Sequence, residues 1–363
     1  GNVFDNSNHD GILAVGVPGT VAGLELAHQR FGSMPWEELL QPAIELARNG
    51  MPISWHMHDS FERLNPWWQQ YPSSASVFLK ADGSFYQPGD TWKQPDLAAT
   101  LDRIQANGKD GFYKGKTAQL ITDFMVANGG IITLEDLEHY KAIEREPIRG
   151  TYRGYDIVSM PPPSSGGTVL VQMLNILEGF DLRAIGHNSA LYLHLLTESM
   201  RRAYADRANY LGDQDFNEDL PIARLTSKEH AELQRESIMM HAKSESDPAR
   251  FAQVYESPET THFSVVDKDG NMVSLTYTLE QGYGSKMVVR GAGFLLNNEM
   301  GDFNAQPGVT DDRGTIGTEP NQIRPQQRML SSMTPTIVAK DRVPLFATGT
   351  PGGRTIINTT MQT

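Results

Sequence analysis

The feature that most constrains this chain is a change of texture near residue 259. Before it, apolar residues recur mostly at helical spacing; after it, they fall in short runs bounded by turn residues. The charge changes at the same place. Residues 260–363 hold 9 basic and 9 acidic side chains, which leaves 22 basic and 35 acidic in residues 1–259, so the whole net charge of −13 lies in the first stretch. A helical part followed by a strand-rich part points to an α+β arrangement, with strands of both parts sandwiched between helical layers.

The helical grammar is explicit. TVAGLELAHQRFG follows Pro18-Gly19, and WEELLQPAIELARNG follows Pro35 and ends at Gly50 and Pro52. PDLAATLDRIQANG and KTAQLITDFMVANGG close on Asn-Gly. Thr133 is placed to cap a further helix. YRGYDIVSM reads as a strand, PPPSSGG at 161–167 as a rigid turn, and TVLVQMLNILEGF and SALYLHLLTESMRRAYADRANYLG as helices. THFSVVD, a KDGN turn and MVSLTYTL then predict a β-hairpin. GAGFLLNN, MTPTIVA and LFATGT predict further strands, and a helix is expected after Gly353. The chain opens without Met and stops in mid-pattern, so both ends read as cuts in a longer sequence.

Composition narrows the chemistry. A chain of 363 residues with 39% hydrophobic content can bury a sizeable core, as two domains or one large layered one. The acidic balance argues against nucleic acid as a partner. No run approaches the roughly 18 apolar residues of a membrane span. Zero Cys removes disulfides, thiolate nucleophiles and Cys-based metal sites, and is compatible with either redox compartment. DGFYKGKT at 110–117 resembles a phosphate loop but has Asp110 where the first glycine belongs, so a helix-connecting turn is expected. His56 and His58 lack a third ligand at a telling spacing and read as surface or packing residues. No G-x-S-x-G elbow is present.

Seven segments, in order, carry a resemblance: VPGTVAG at 17–23, MPPPSSGG at 160–167, RRAYADRANYLGD at 201–213, TTHFSVVDKDGN at 260–271, LLNNEMGDF at 295–303, LSSMTPT at 330–336 and TPGGR at 350–354. Together they resemble the γ-glutamyltranspeptidases across essentially the whole chain. The resemblance implies a four-layer αββα N-terminal-nucleophile hydrolase sandwich, here incomplete at both ends. It also implies a precursor that cleaves itself between Glu259 and Thr260. Residues 1–259 would then be a large-subunit portion and 260–363 a small-subunit portion that begins at the nucleophile.

As a residue type, Thr260 at a strand start is an ordinary β-former. By resemblance it is the nucleophile. The chemistry is sensible, because a threonine hydroxyl needs a base and a new chain start supplies an α-amine with a pKa of about 8. Thr278 matches the second threonine that orients it. Gly352 and Gly353 match the oxyanion hole, where rigid N–H donors stabilise charge developing on the carbonyl oxygen. Ser331 and Ser332 match holders of the substrate α-carboxylate, and Glu299 and Asp302 match holders of its α-ammonium. Glu280 stands where the family usually has Asn, also near the ammonium.

The resemblance places the family's carboxylate-clamping arginine before this chain begins. It implies no metal or organic cofactor, a small γ-glutamyl donor with water or an amino acid as acceptor, and export to the periplasm or cell exterior. Glu280 and the aromatic-free loop 304–328, over the pocket by resemblance, leave open a cephalosporin acylase or a poly-γ-glutamate-cleaving relative. An unprocessed fragment acting as a binding module is a third reading.

Overall fold

The computed structural model describes residues 7–244, 259–304, 319–353 and 355–363, as mixed helix and sheet. The chain divides into two compact units, one formed by the stretch up to residue 144 with 282–300, the other by 145–281 with 301–363. Each therefore draws on both sides of the 259/260 bond. This division concerns packing and is separate from the two cleavage products expected above.

In the first unit, β1 (Met51–Pro52) pairs with β2 (Thr91–Trp92) in a short antiparallel ribbon. Helices form at Thr20–Phe31, Trp36–Asn49, Pro95–Asn107 and Gly115–Asn128, where the apolar spacing and the Gly and Pro punctuation place them. Thr133 opens the helix Leu134–His139 with a capping box: its hydroxyl accepts from the Asp136 amide at 3.2 Å, and the Asp136 carboxylate accepts from the Thr133 amide at 2.8 Å. Ile104, Ile121, Met125 and Leu137 form a core with Val289 and Leu296. An aromatic cluster of Phe61, Trp68, Phe78 and Trp92 forms a second, with the Tyr283 ring edge-on to Phe61 and Phe78.

Three expectations meet their outcome here. GAGFLLNN is not a strand: Gly291 and Gly293 take φ of +76° and +78°, the chain turns, and Leu295 keeps only an isolated bridge to Val288. DGFYKGKT, expected as a helix-connecting turn, is itself mostly helical: it forms the short helix Asp110–Tyr113 and opens the helix Gly115–Asn128, with Lys114 alone between them. His58 is a packing residue, buried, with Nδ1 2.8 Å from the Tyr86 carbonyl oxygen.

The second unit carries a four-stranded antiparallel sheet in the order β3 (Ile148–Tyr152), β4 (Tyr155–Ser159), β7 (Thr336–Lys340) and β8 (Val343–Thr348), together with a hairpin of β5 (Thr261–Val266) and β6 (Met272–Tyr277). YRGYDIVSM, read as one strand, is the second half of a hairpin instead. Arg153 and Gly154 take φ of +51° and +82°, the two left-handed positions of a tight hairpin turn, and split the run in two. The KDGN turn, MTPTIVA, LFATGT and the terminal helix Thr355–Gln362 form as expected. Helix Gly166–Glu178 is buried from Gly166 to Leu177 and packs on the sheet through Val169, Leu170 and Val171 with Ile148, Ile157 and Val338.

Period-2 alternation gives the β5–β6 hairpin two unlike faces. Phe263, Val265, Val273 and Tyr277 lie on one face and are exposed. His262 and Ser264 lie on the other, opposite Thr276 and Ser274. Thr260 and Thr278 extend that hydroxyl-bearing face by one pair.

Candidate active site

Thr260 immediately precedes β5, and Thr278 immediately follows β6. Extending the register from Thr261 opposite Tyr277 sets them against each other, and their hydroxyl oxygens lie 3.4 Å apart. The Thr260 hydroxyl also hydrogen-bonds the carbonyl oxygen of Glu259. It thus sits beside the carbonyl of the bond that self-cleavage would break. Thr278 Oγ1 accepts a hydrogen bond from the Glu280 amide at 2.9 Å, which leaves its own proton free to face Thr260 Oγ1. Glu280 makes that bond in the left-handed region, at φ +78°, which a side chain other than Gly, Asn or Asp adopts reluctantly.

The next pair along the same face is His262 and Thr276, with Nδ1 2.9 Å from Oγ1, while His262 Nε2 lies 3.1 Å from Ser264 Oγ. Burial holds the His262 imidazole below its ordinary pKa, so the ring is neutral at pH 7. Its flat face lies where a Cβ on Gly349 would stand, 2.2 Å from ring carbon Cε1. Only glycine permits that approach. Ser274 Oγ donates to the Thr348 carbonyl at 2.8 Å and accepts from the Thr336 amide at 3.1 Å. These contacts fasten the hairpin to the start of β7 and the end of β8.

Gly352 and Gly353 follow a few residues on, at φ +129° and +55°. The Gly352 carbonyl accepts from the Thr355 amide at 3.0 Å, and that of Gly353 from the Ile356 amide at 3.1 Å. Both carbonyls thus turn into the start of helix Thr355–Gln362. The Gly353 N–H, trans to the Gly352 carbonyl across a planar peptide, points the opposite way. A helix N-terminus adds favourable potential for an anion there.

Ser331 and Ser332 are held by the PPPSSGG turn. Ser165 donates to the Ser331 carbonyl through both its amide and its hydroxyl, each at 2.8 Å, and the Ser331 amide donates to the Pro163 carbonyl at 3.1 Å. Ser164 Oγ donates to the Met333 carbonyl at 2.7 Å. A Cβ at Gly166 would stand 2.2 Å from that same carbonyl oxygen, so the turn closes on the serine loop because residue 166 has no side chain. Arg207, buried, reaches the same place from helix Ala190–Tyr210 and hydrogen-bonds Ser165 and Ser332.

Glu299 and Asp302 open and close one 3-10 turn at the point where the chain passes between units, Glu299 belonging to the first and Asp302 to the second. Thr260, Thr278, Glu280, Ser331, Ser332, Gly352 and Gly353 all belong to the second. Residues 305–318 of the loop 304–328 lie outside the described residues. Among the described residues there is no group of three side chains able to hold a metal, and no helix is long and apolar enough to cross a membrane. His262, Ser165 and Arg207 are site residues to which sequence reasoning gave no role, although each falls inside a quoted motif.

The profile of the γ-glutamyltranspeptidase family matches residues 2–363. The chain belongs to that family. The glutathione hydrolase proenzyme of Escherichia coli K12 is 46% identical over 96% of this chain and 60% of its own length. The chain spans between 60% and 64% of the lengths of the first three such relatives. Among solved structures, the γ-glutamyltranspeptidase of Helicobacter pylori is 44% identical, with a TM-score of 0.65 over 67% of this chain and 69% of its own. A cephalosporin acylase from Bacillus halodurans is 27% identical, with a TM-score of 0.83 over 97% of this chain and 62% of its own.

Proposed function

We propose that the protein is a γ-glutamyl transferase and hydrolase that acts on glutathione and related γ-glutamyl amides after cutting itself between Glu259 and Thr260. The observation that carries this is the position of the Thr260 hydroxyl, between the Glu259 carbonyl and the Thr278 hydroxyl. The names of the relatives, glutathione hydrolase proenzymes, support both the activity and the self-processing. In the whole protein the fold is a four-layer αββα sandwich. Residues 1–259 belong to the large subunit and 260–363 to the small one, and the enzyme works in the periplasm or outside the cell.

In the uncut chain the Thr260 nitrogen is an amide and cannot serve as a base. Cleavage turns it into an α-amine. That amine takes the hydroxyl proton as Thr260 Oγ1 bonds to the γ-carbonyl carbon of the donor. The Gly352 and Gly353 N–H groups hold the oxyanion. The amide C–N bond then breaks, and the leaving amine departs with the proton. An ester on Thr260 remains, and water or the amine of an amino acid attacks it, returning the hydroxyl. Ser331 and Ser332 hold the donor carboxylate, while Glu280, Glu299 and Asp302 hold its ammonium.

Thr260→Ala tests this: the purified protein is expected to remain one chain and to lose activity on a γ-glutamyl anilide, whereas Thr260→Ser still cuts itself. A cut, active Thr260→Ala protein would sink the proposal. A second reading, an acylase that prefers glutaryl amides, is favoured by the match to a cephalosporin acylase structure. A higher kcat/KM on a glutaryl than on a γ-glutamyl anilide would select it.

A further inference from the structure

The loop carrying Ser331 and Ser332 has a cation behind it. Arg207 is 4% exposed. Its Nε donates to Ser165 Oγ at 2.8 Å, and its Nη2 donates to Ser332 Oγ at 3.1 Å. Ser165 passes the constraint on, since its own hydroxyl donates to the Ser331 carbonyl. One guanidinium thus fixes both serines, one directly and one through a neighbour.

The direction of these bonds matters. A guanidinium has N–H donors and no acceptor, and it keeps its charge even when buried. Ser332 Oγ therefore accepts from Arg207, and its own proton must lie elsewhere about the oxygen. Accepting from a cation also polarises the O–H bond and makes it a stronger donor. A hydroxyl backed in this way suits an anion and is wasted on a neutral group. In a dry setting a buried charge is also felt more strongly a few ångströms away than an exposed one.

We propose that Arg207 is a positioning residue for donor recognition. It turns the Ser332 hydroxyl proton toward the α-carboxylate of the acyl group and conveys positive charge to that carboxylate through the serine. Arg207 does not touch the donor. The inference rests on the reading of Ser332 as a carboxylate holder. It applies equally to γ-glutamyl and glutaryl donors, which share that carboxylate, so it is independent of the choice between the two acyl groups.

The test uses the full-length, self-cut enzyme and three anilides: γ-glutamyl, glutaryl and 4-aminobutyryl, the last lacking the carboxylate. Arg207→Met is expected to raise KM for whichever carboxylate-bearing donor the enzyme prefers by about tenfold or more, the usual worth of a charge-assisted hydrogen bond. Its kcat on that donor, and its kcat/KM on the 4-aminobutyryl anilide, should stay within about threefold of the parent. In a Ser332→Ala background Arg207→Met should add little. Arg207→Lys, which keeps the charge, should fall between.

Equal losses on all three donors would mean that Arg207 only supports the fold, and would overturn the inference. So would a full Arg207→Met effect that persists without the Ser332 hydroxyl. If Arg207→Met yields no cut protein, Arg207→Lys decides: a KM rise confined to carboxylate-bearing donors supports the inference, and a uniform loss ends it. Ser332→Ala with an unchanged KM would remove the serine reading and the inference together. A Ser332 effect with no Arg207 effect would remove the inference alone.

Discussion

At the scale of single residues, the site is built from ordinary side chains in demanding places. Glu280 is the clearest case. Its amide supports Thr278, but the bond requires φ +78°, a conformation that Asn tolerates better than Glu. Glu280→Asn should relieve backbone strain worth about 1 kcal/mol. A higher urea midpoint at unchanged m value is the expected result, and a lower midpoint would show that the Glu280 carboxylate matters more than its backbone. The sequence marked Glu280 as a departure from the family's Asn, but its left-handed backbone was not legible there. Thr260 and Thr278 look like plain strand threonines, and only the order of the motifs marks them. Arg207 was harder still, because an arginine late in a helix reads as a solvated charge or a partner for the helix dipole. Its partner Ser332 is 125 residues away in sequence.

At the scale of elements, legibility followed periodicity. Trp36–Asn49 and Gly115–Asn128 announce themselves because a repeat of 3.6 residues and flanking glycines agree. The β3–β4 hairpin hid its turn, because Arg153 is an uncommon residue for a left-handed position. GAGFLLNN misled because Leu296 is buried and Leu295 partly buried by packing into two cores, outside any named strand. Helix Ala190–Tyr210 supplies more than Arg207. Its Glu198, 1% exposed, receives the Ser244 amide at 3.0 Å and the Arg202 guanidinium at 2.6 Å, along with the Ser244 hydroxyl. Burial pushes the Glu198 carboxyl up, but these hydrogen bonds and the Arg202 charge outweigh it and bring the pKa down to about 2. A carboxylate with a depressed folded pKa stabilises the protein above its unfolded pKa and ceases to do so as pH falls through the folded value. From about pH 5 to pH 2 the parent should therefore lose roughly 3 kcal/mol that Glu198→Gln does not lose. Urea titrations of both proteins across that range check it, and parallel curves would refute the assignment.

At the scale of the whole molecule, the four-stranded sheet crosses the predicted cut. β3 and β4 precede residue 259, β7 and β8 follow it, and β4 pairs with β7 from Asp156 opposite Ala339 to Ser159 opposite Thr336. Cleavage at 259/260 would leave those backbone bonds whole. The two products are expected to co-elute in native size-exclusion chromatography and to part only in denaturant; separation without denaturant would contradict the sheet. The charge asymmetry of the sequence then acquires a molecular meaning, an acidic stretch and a neutral one held in a common ladder. The two-faced hairpin adds a last consequence. A slip of one residue between β5 and β6 would turn Thr278 away from Thr260 and bring an apolar neighbour in its place. A molecule folded out of register could not cut itself. Self-scission would act as the protein's own quality mark, and the fraction left as one chain would count its folding errors.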